Sequence, residues 1–230
     1  MCIRDRCWVE EDVLPGVRAH RCRPRFGLDS VGWVVTTEDG GEVGIEAAPW
    51  YDGPALERLA GLRALVASHV HAYGAIWRLQ DALRPPVLAV GLPDLAWTKA
   101  FRVTWPVDDV LELAPGLTAH VIGGHFAGHL AVHDARRGAL FCGDMLKVDI
   151  DPGRETPRAL STHKAYDVQI PLSHAEVRRH REWVETLDFE HVLTPFEHGP
   201  GVTTKHVLGL FDRILAGAPS TAPVPLDELA

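Results

Sequence analysis

The chain is poor in basic residues. Over 230 residues, Lys and Arg number 23 against 31 Asp and Glu, for a formal net charge of −8. A nucleic-acid surface needs a concentrated basic stripe to neutralise phosphates, so no nucleic-acid partner is expected. Short clusters such as Arg178-Arg179 read as a solvated helix face. Long hydrophobic runs are missing too: no stretch approaches the roughly 20 apolar residues that a membrane-crossing helix needs, and no membrane partner is expected. The N-terminus lacks the apolar core of a signal peptide. Cysteine is scarce, with Cys2, Cys7, Cys22 and Cys142 at spacings that fit neither a zinc knuckle nor a dense disulfide framework. Reduced thiols in a cytoplasmic protein are the corresponding expectation. No repeat of fixed period and no low-complexity segment occurs.

What is present suits a folded domain with many turns: 46% of residues are hydrophobic, with 21 Gly and 17 Pro. Val31 to Thr37 and Glu42 to Ala47, joined through Asp39-Gly40-Gly41, predict a β-hairpin. Gly53-Pro54 opens a short helix that Gly61 ends. Leu62 to Ser68 and Val87 to Val90 read as buried strands on either side of a helix over 74–83, which Pro85-Pro86 stops. Further strands are predicted at 101–107, 110–113, 117–123, 130–133, 139–142 and 191–194. Ser173 and Glu176 match a capping box for a helix to about Leu187, and 204–215 is an amphipathic helix. The polar stretch 145–172 reads as an irregular loop that shapes a pocket. Residues 1–7 are set apart as a non-native or disordered leader, because the opening Met1-Cys2-Ile3-Arg4-Asp5-Arg6 resembles translated sequencing-adapter sequence. A single domain is expected over 8–216 and a flexible tail with three prolines over 217–230. Strands and helices in both halves suggest two sheets face to face with helices outside.

The 13 histidines carry the chemistry. His69, His71, His129, Asp144 and His198 each follow a predicted strand, where loops build sites. In an extended segment residues i and i+2 point the same way, so His69 and His71 can reach one ion. Zinc takes neutral imidazoles and keeps a position open for water. An H-x-H pair alone serves equally well as two structural histidines.

The run Ser68-His69-Val70-His71-Ala72-Tyr73-Gly74 resembles the H-x-H-x-D-H motif of the metallo-β-lactamase superfamily. Gly124-His125-Phe126-Ala127-Gly128-His129 is similar to its G-H-T-P-G-H run, Phe141-Cys142-Gly143-Asp144 to its F-x-G-D run, and Pro195-Phe196-Glu197-His198-Gly199 to its final G-H-G. The four occur in the family's order. The resemblance implies an α/β fold, a four-layer αββα sandwich with metal at one edge. It implies His69, His71 and His129 as ligands of a first metal, Asp144 as the bridging carboxylate and His198 as a ligand of a second. Tyr73 stands where the family has Asp, and Gly74 where it has His. Only Asp144 and His198 then remain for a second ion, so one well-held ion is expected, with His163, His174 or His133 as offset replacements. His125 is expected to orient its loop. Trp33, Trp50, Trp77, Trp97, Trp105 and Trp183 are expected in the core.

The function implied is a metal-dependent hydrolase with Zn2+, in which metal-bound hydroxide attacks an ester, thioester, lactone or amide of a small-molecule substrate. Asp144 and Tyr73 are its catalytic candidates; Tyr73 either donates a hydrogen bond to the developing oxyanion or packs as a plain aromatic. His69, His129 and Asp144 also match the mononuclear Fe2+ site of the persulfide dioxygenases, which gives an oxidative alternative. A third reading is a non-catalytic binding protein on the same fold.

Overall fold

A computed structural model describes residues 6–23, 30–48, 51–71, 76–99, 102–151, 156–162, 164–165, 168–169 and 172–230. In chain order the first half contains β1 (Arg6–Leu14), β2 (Val17–Arg23), β3 (Ser30–Thr36), β4 (Glu42–Ile45), α1 (Gly53–Arg58), β5 (Leu62–Val66), α2 (Ile76–Leu83), β6 (Val87–Gly91) and β7 (Trp105–Val107). The second half contains β8 (Val110–Ala114), β9 (Leu117–Val121), β10 (Leu130–Asp134), β11 (Ala139–Phe141), β12 (Leu146–Ile150), β13 (Pro157–Thr162), β14 (Lys164–Ala165), β15 (Val168–Gln169), α3 (His174–Val184), β16 (His191–Leu193), β17 (His198–Pro200), α4 (Thr204–Leu215) and β18 (Val224–Pro225). Strands β1 to β7 form one sheet in sequence order, and a second runs β17-β16-β11-β10-β9-β8.

The period-2 alternation of each strand explains the layering. Val31, Trp33 and Val35 of β3, Ala64 and Val66 of β5, Leu130 and Val132 of β10, and Ala139 and Phe141 of β11 all enter one core between the sheets. Their neighbours point outward. Val34, Leu65, Leu88 and Val90 meet Ile76 and Leu79 of α2. Ala131, Leu140 and Val192 meet Val177 and Val184 of α3 and Val207, Leu210 and Phe211 of α4. The result is the expected four-layer αββα sandwich. Trp33 Nε1 ties the sheets together by donating to the Thr194 carbonyl (2.9 Å).

The hairpin over 31–47 forms with Thr36 opposite Glu42, and Ser173 and Glu176 make the reciprocal capping box. Several expectations need correction. The stretch 145–172 is not an irregular loop: β12 and β13 pair from Leu146↔Thr162 to Ile150↔Pro157. Its apolar residues alternate (Leu146, Val148, Ile150), and Pro152 and Gly153 fall between the two strands. The tail is packed rather than loose, since Val224 pairs with Leu160 and Leu229 is buried against α4 and its neighbours. Arg6 and Cys7, placed in the leader, belong to β1 opposite Arg23 and Cys22. Of the tryptophans expected in the core, Trp33 is fully buried, while Trp77, Trp97 and Trp105 are exposed; Trp50 lies outside the described residues. Among the described residues no helix is long and apolar enough to cross a membrane.

Candidate metal centre

Three chain segments converge at one edge of the sandwich. The first leaves β5, a strand paired in parallel with β4 and β6, and carries Ser68, His69 and His71. The second, between β9 and β10, carries His125 and His129. The third follows β11 and carries Asp144. The segments are knitted by backbone: Leu130 N–H donates to the Ser68 carbonyl (2.7 Å) and Cys142 N–H to the Leu193 carbonyl (3.0 Å). Glycine is needed where they touch. A Cβ on Gly91 would overlap the Gly128 carbonyl, and one on Gly143 (φ +53°) would run into the His129 ring and Ser68.

Four side chains present donor atoms within 4.8 Å of one another: His69, His71, His125 and Asp144. Their contacts run around a ring. His69 Nε2 lies 3.0 Å from Asp144 Oδ2, that oxygen is 3.7 Å from His125 Nε2, and His125 Nε2 is 3.3 Å from His71 Nδ1. Donors at the usual zinc distances in a tetrahedron sit roughly 3.3 Å apart, so the set fits one first-row cation in both spacing and chemistry. His69, His125 and Asp144 are buried, while His71 is exposed and opens the group to solvent.

The surroundings hold this group in place. The Ser68 hydroxyl lies 2.6 Å from His69 Nδ1 and leaves Nε2 for the centre. Phe126 is wedged among three imidazoles, its ring 5.9 Å from His69, 5.0 Å from His71 and 4.7 Å from His125. His125 enters through a turn at Gly123 and Gly124, both at positive φ. His180 of α3 braces that turn, with Nε2 3.1 Å from the Ile122 carbonyl and 3.2 Å from that of Gly123.

Two buried carboxyls complete the site. Glu46, directly after β4, adopts φ 64°, unusual for a residue with a side chain. Burial first, then the Asp144 charge, pushes its pKa up to about 7, against the pull of His69 and Ser68. Asp94, just beyond β6, is also raised by burial, opposed by the Gly128 N–H and His69. Burial alone would lower the pKa of His69; the hydrogen bond and charge of Asp144, with Glu46 and Asp94, outweigh it and raise it. His71 is lowered by burial and by His69.

The structure brings together three of the residues singled out from sequence, His69, His71 and Asp144, and adds His125 in place of His129. The His129 ring packs beside that of His69 at 5.1 Å, fully buried. His198 is elsewhere. Antiparallel pairing of Leu193 with His198 puts it on the same face as His191, and its Nε2 lies 3.4 Å from His191 Nδ1. Among the offset candidates, His133 contacts the Asp188 carbonyl (3.1 Å) and His174 is exposed at the start of α3. Tyr73, Gly74 and His163 lie outside the described residues. Glu46, Asp94 and Phe126 went unmarked in the sequence; the one available signal was an acidic residue ending the apolar run Val43-Gly44-Ile45.

No protein-family model matches the chain. The uncharacterized protein YmaE of Bacillus subtilis (strain 168) is 25% identical over 147 residues, 61% of this chain. The match spans about half of that relative, 52% of its length. Among solved structures, the flavodiiron core of Flv1 from Synechocystis sp. PCC6803 superposes with a TM-score of 0.67 at 13% identity, covering 93% of this chain and 62% of that one. The DIM-1 metallo-β-lactamase superposes with a TM-score of 0.63 at 17% identity, over 92% of this chain and 98% of its own.

Proposed function

We propose that this chain, a protein of the metallo-β-lactamase fold, is a metal-dependent hydrolase of small molecules that works with one divalent cation, zinc in the first instance. The observation that carries the reading is the ring of four donors, His69, His71, His125 and Asp144, within 4.8 Å. With the imidazoles neutral, three His and one carboxylate leave a divalent ion at net +1. Such an ion supplies Lewis acidity and brings the pKa of a bound water towards ~7. One cation is favoured over two because this is a single four-donor group among the described residues and His198 is engaged with His191.

The chain's own groups do the positioning. Ser68 and Asp144 fix both nitrogens of His69, and Phe126 restricts the rotation of the three rings around it. The exposed side at His71 admits the substrate, for which we propose an ester, thioester, lactone or amide. Tyr73, two residues beyond His71 in the sequence, is the proposed hydrogen-bond donor to the oxygen gaining charge in the transition state.

The test is metal analysis of protein purified without added metal, with hydrolysis of representative esters, thioesters, lactones and β-lactams followed before and after chelation. Zinc near one equivalent, with activity lost on chelation and restored by zinc, is the expected result. Hydrolysis indifferent to chelator overturns the proposal. Iron in the purified protein, with oxygen uptake on adding a persulfide, would replace it with the oxidative reading.

A further inference from the structure

Away from the metal centre, β1 and β2 place two thiols side by side. Cys7 is directly opposite Cys22 in the antiparallel register, and their sulfurs are 2.7 Å apart. Cys22 is fully buried, whereas Cys7 is half-buried and lines a cavity of about 190 Å³. The cavity opens between this hairpin and the start of α1, and its wall includes His20, Arg21, Tyr51 and Arg58. Neither ring nitrogen of His20 has a hydrogen-bond partner among the described residues, although the residue is only 3% exposed. Burial, Arg18 and Arg58 keep that imidazole neutral, with its pKa lowered to about 4, so a proton acceptor faces the same space as the Cys7 thiol.

We infer that Cys7 and Cys22 form a reversible dithiol–disulfide site that takes small-molecule disulfides of the glutathione type through this cavity. The Cys7 sulfur attacks one sulfur of the ligand, breaks its S–S bond and expels one thiol. Cys22 then attacks the Cys7 sulfur, forms the Cys7–Cys22 bond and expels the second thiol. Two protein thiols are oxidised, one small disulfide is reduced to two thiols, and the two protons lost by the protein end on those thiols. The order follows from access, because the more accessible member of a pair meets the ligand and the buried member resolves the mixed disulfide. Cys142 takes no part: it is fully buried, and burial pushes its thiol pKa up.

The test treats the full chain with glutathione disulfide and reads thiol count, intact mass and linked peptides. Expected are the loss of two thiols, a mass lower by about 2 Da, and a peptide joining Cys7 to Cys22. Closing this short loop should also raise the unfolding midpoint of the wild-type protein by up to roughly 10 °C, a readout that needs no variant. Cys22→Ser should stop at glutathione held on Cys7, and Cys7→Ser should leave Cys22 unmodified. No thiol loss, a linkage through Cys2, or glutathione on Cys22 in Cys7→Ser would each overturn the assignment.

Discussion

His125 and His129 lie four residues apart, and the geometry assigns them different work. His125 Nε2 closes the donor ring, 3.3 Å from His71 Nδ1 and 3.7 Å from Asp144 Oδ2, whereas the His129 ring packs beside that of His69 at 5.1 Å. Removing one of four donors should weaken zinc by at least roughly 100-fold; removing a supporting ring should cost nearer 10-fold. Linkage turns these factors into melting shifts. At a free zinc concentration 100 times the wild-type Kd, binding stabilises the protein by about 2.7 kcal/mol, or roughly 5–10 °C for a chain of this size. At that same concentration His125→Ala would retain about 0.4 kcal/mol, about 1 °C, and His129→Ala about 1.4 kcal/mol, roughly 3–6 °C. The assay is thermal unfolding with and without zinc in a buffered-metal solution, backed by a chelator competition that reads Kd directly. A zinc shift that persists in His125→Ala and vanishes in His129→Ala would refute the reasoning and restore the ligand set that the family resemblance implies.

Two other perturbations test the scaffold. His180 is buried against the Gly123 turn, and burial, then Arg179, lower its pKa to about 4. The unfolded chain, at the ordinary value, binds the proton more readily, so His180 contributes full stability above about pH 6.5 and loses it as pH falls towards 4; at pH 5 the cost is on the order of 2 kcal/mol. Denaturant titrations of wild type and His180→Gln at pH 7 and 5 should show a smaller acid loss in the variant, and equal losses would discard the assignment. Gly91→Ala should destabilise the fold by about 3 kcal/mol or more, because its Cβ meets the backbone of Gly128, which cannot move as a side-chain tip can; an unfolding midpoint within a degree of wild type would contradict that contact.

Much of the fold was legible because alternation and breakers agreed. In β3 and β4, apolar residues at every second position and an Asp-Gly-Gly turn left one arrangement. The stretch 145–172 misled because Pro152, Gly153 and Pro157 stand close together, yet each falls between or at the start of strands, where proline costs no ladder hydrogen bond. The β1–β2 hairpin was missed since charged residues interrupt the apolar alternation on both of its faces: Glu10 pairs with Arg21, Arg18 with Glu42. At the site, order along the chain identified the segments but not every atom. His125 joins the donor group from a segment that starts at Gly123 and Gly124, both at positive φ, a conformation that no hydrophobic period encodes. His198 turned away because a residue's face depends on strand register, and a three-residue strand at a sheet edge carries little pattern from which register can be read.

The buried acids bear on how a cation would be held. Glu46, Asp94 and Asp144 surround His69, all of them buried, and like charges this close resist ionising together. Burial first, then the Asp144 charge, pushes the Glu46 pKa up to about 7, and the hydrogen bond and charge of Asp144 make His69 hold a proton more tightly than a free imidazole. A divalent cation would offset the acidic charge that contributes to both shifts. His69 and Asp144, with His71 and His125, would hold it, and its charge would offset the remaining negative charge. Binding would therefore release protons and add to folding free energy at once. In a purely structural core, apolar residues of similar size would serve as well as these buried acids. Their retention beside four imidazoles follows if the folded state is completed by a cation.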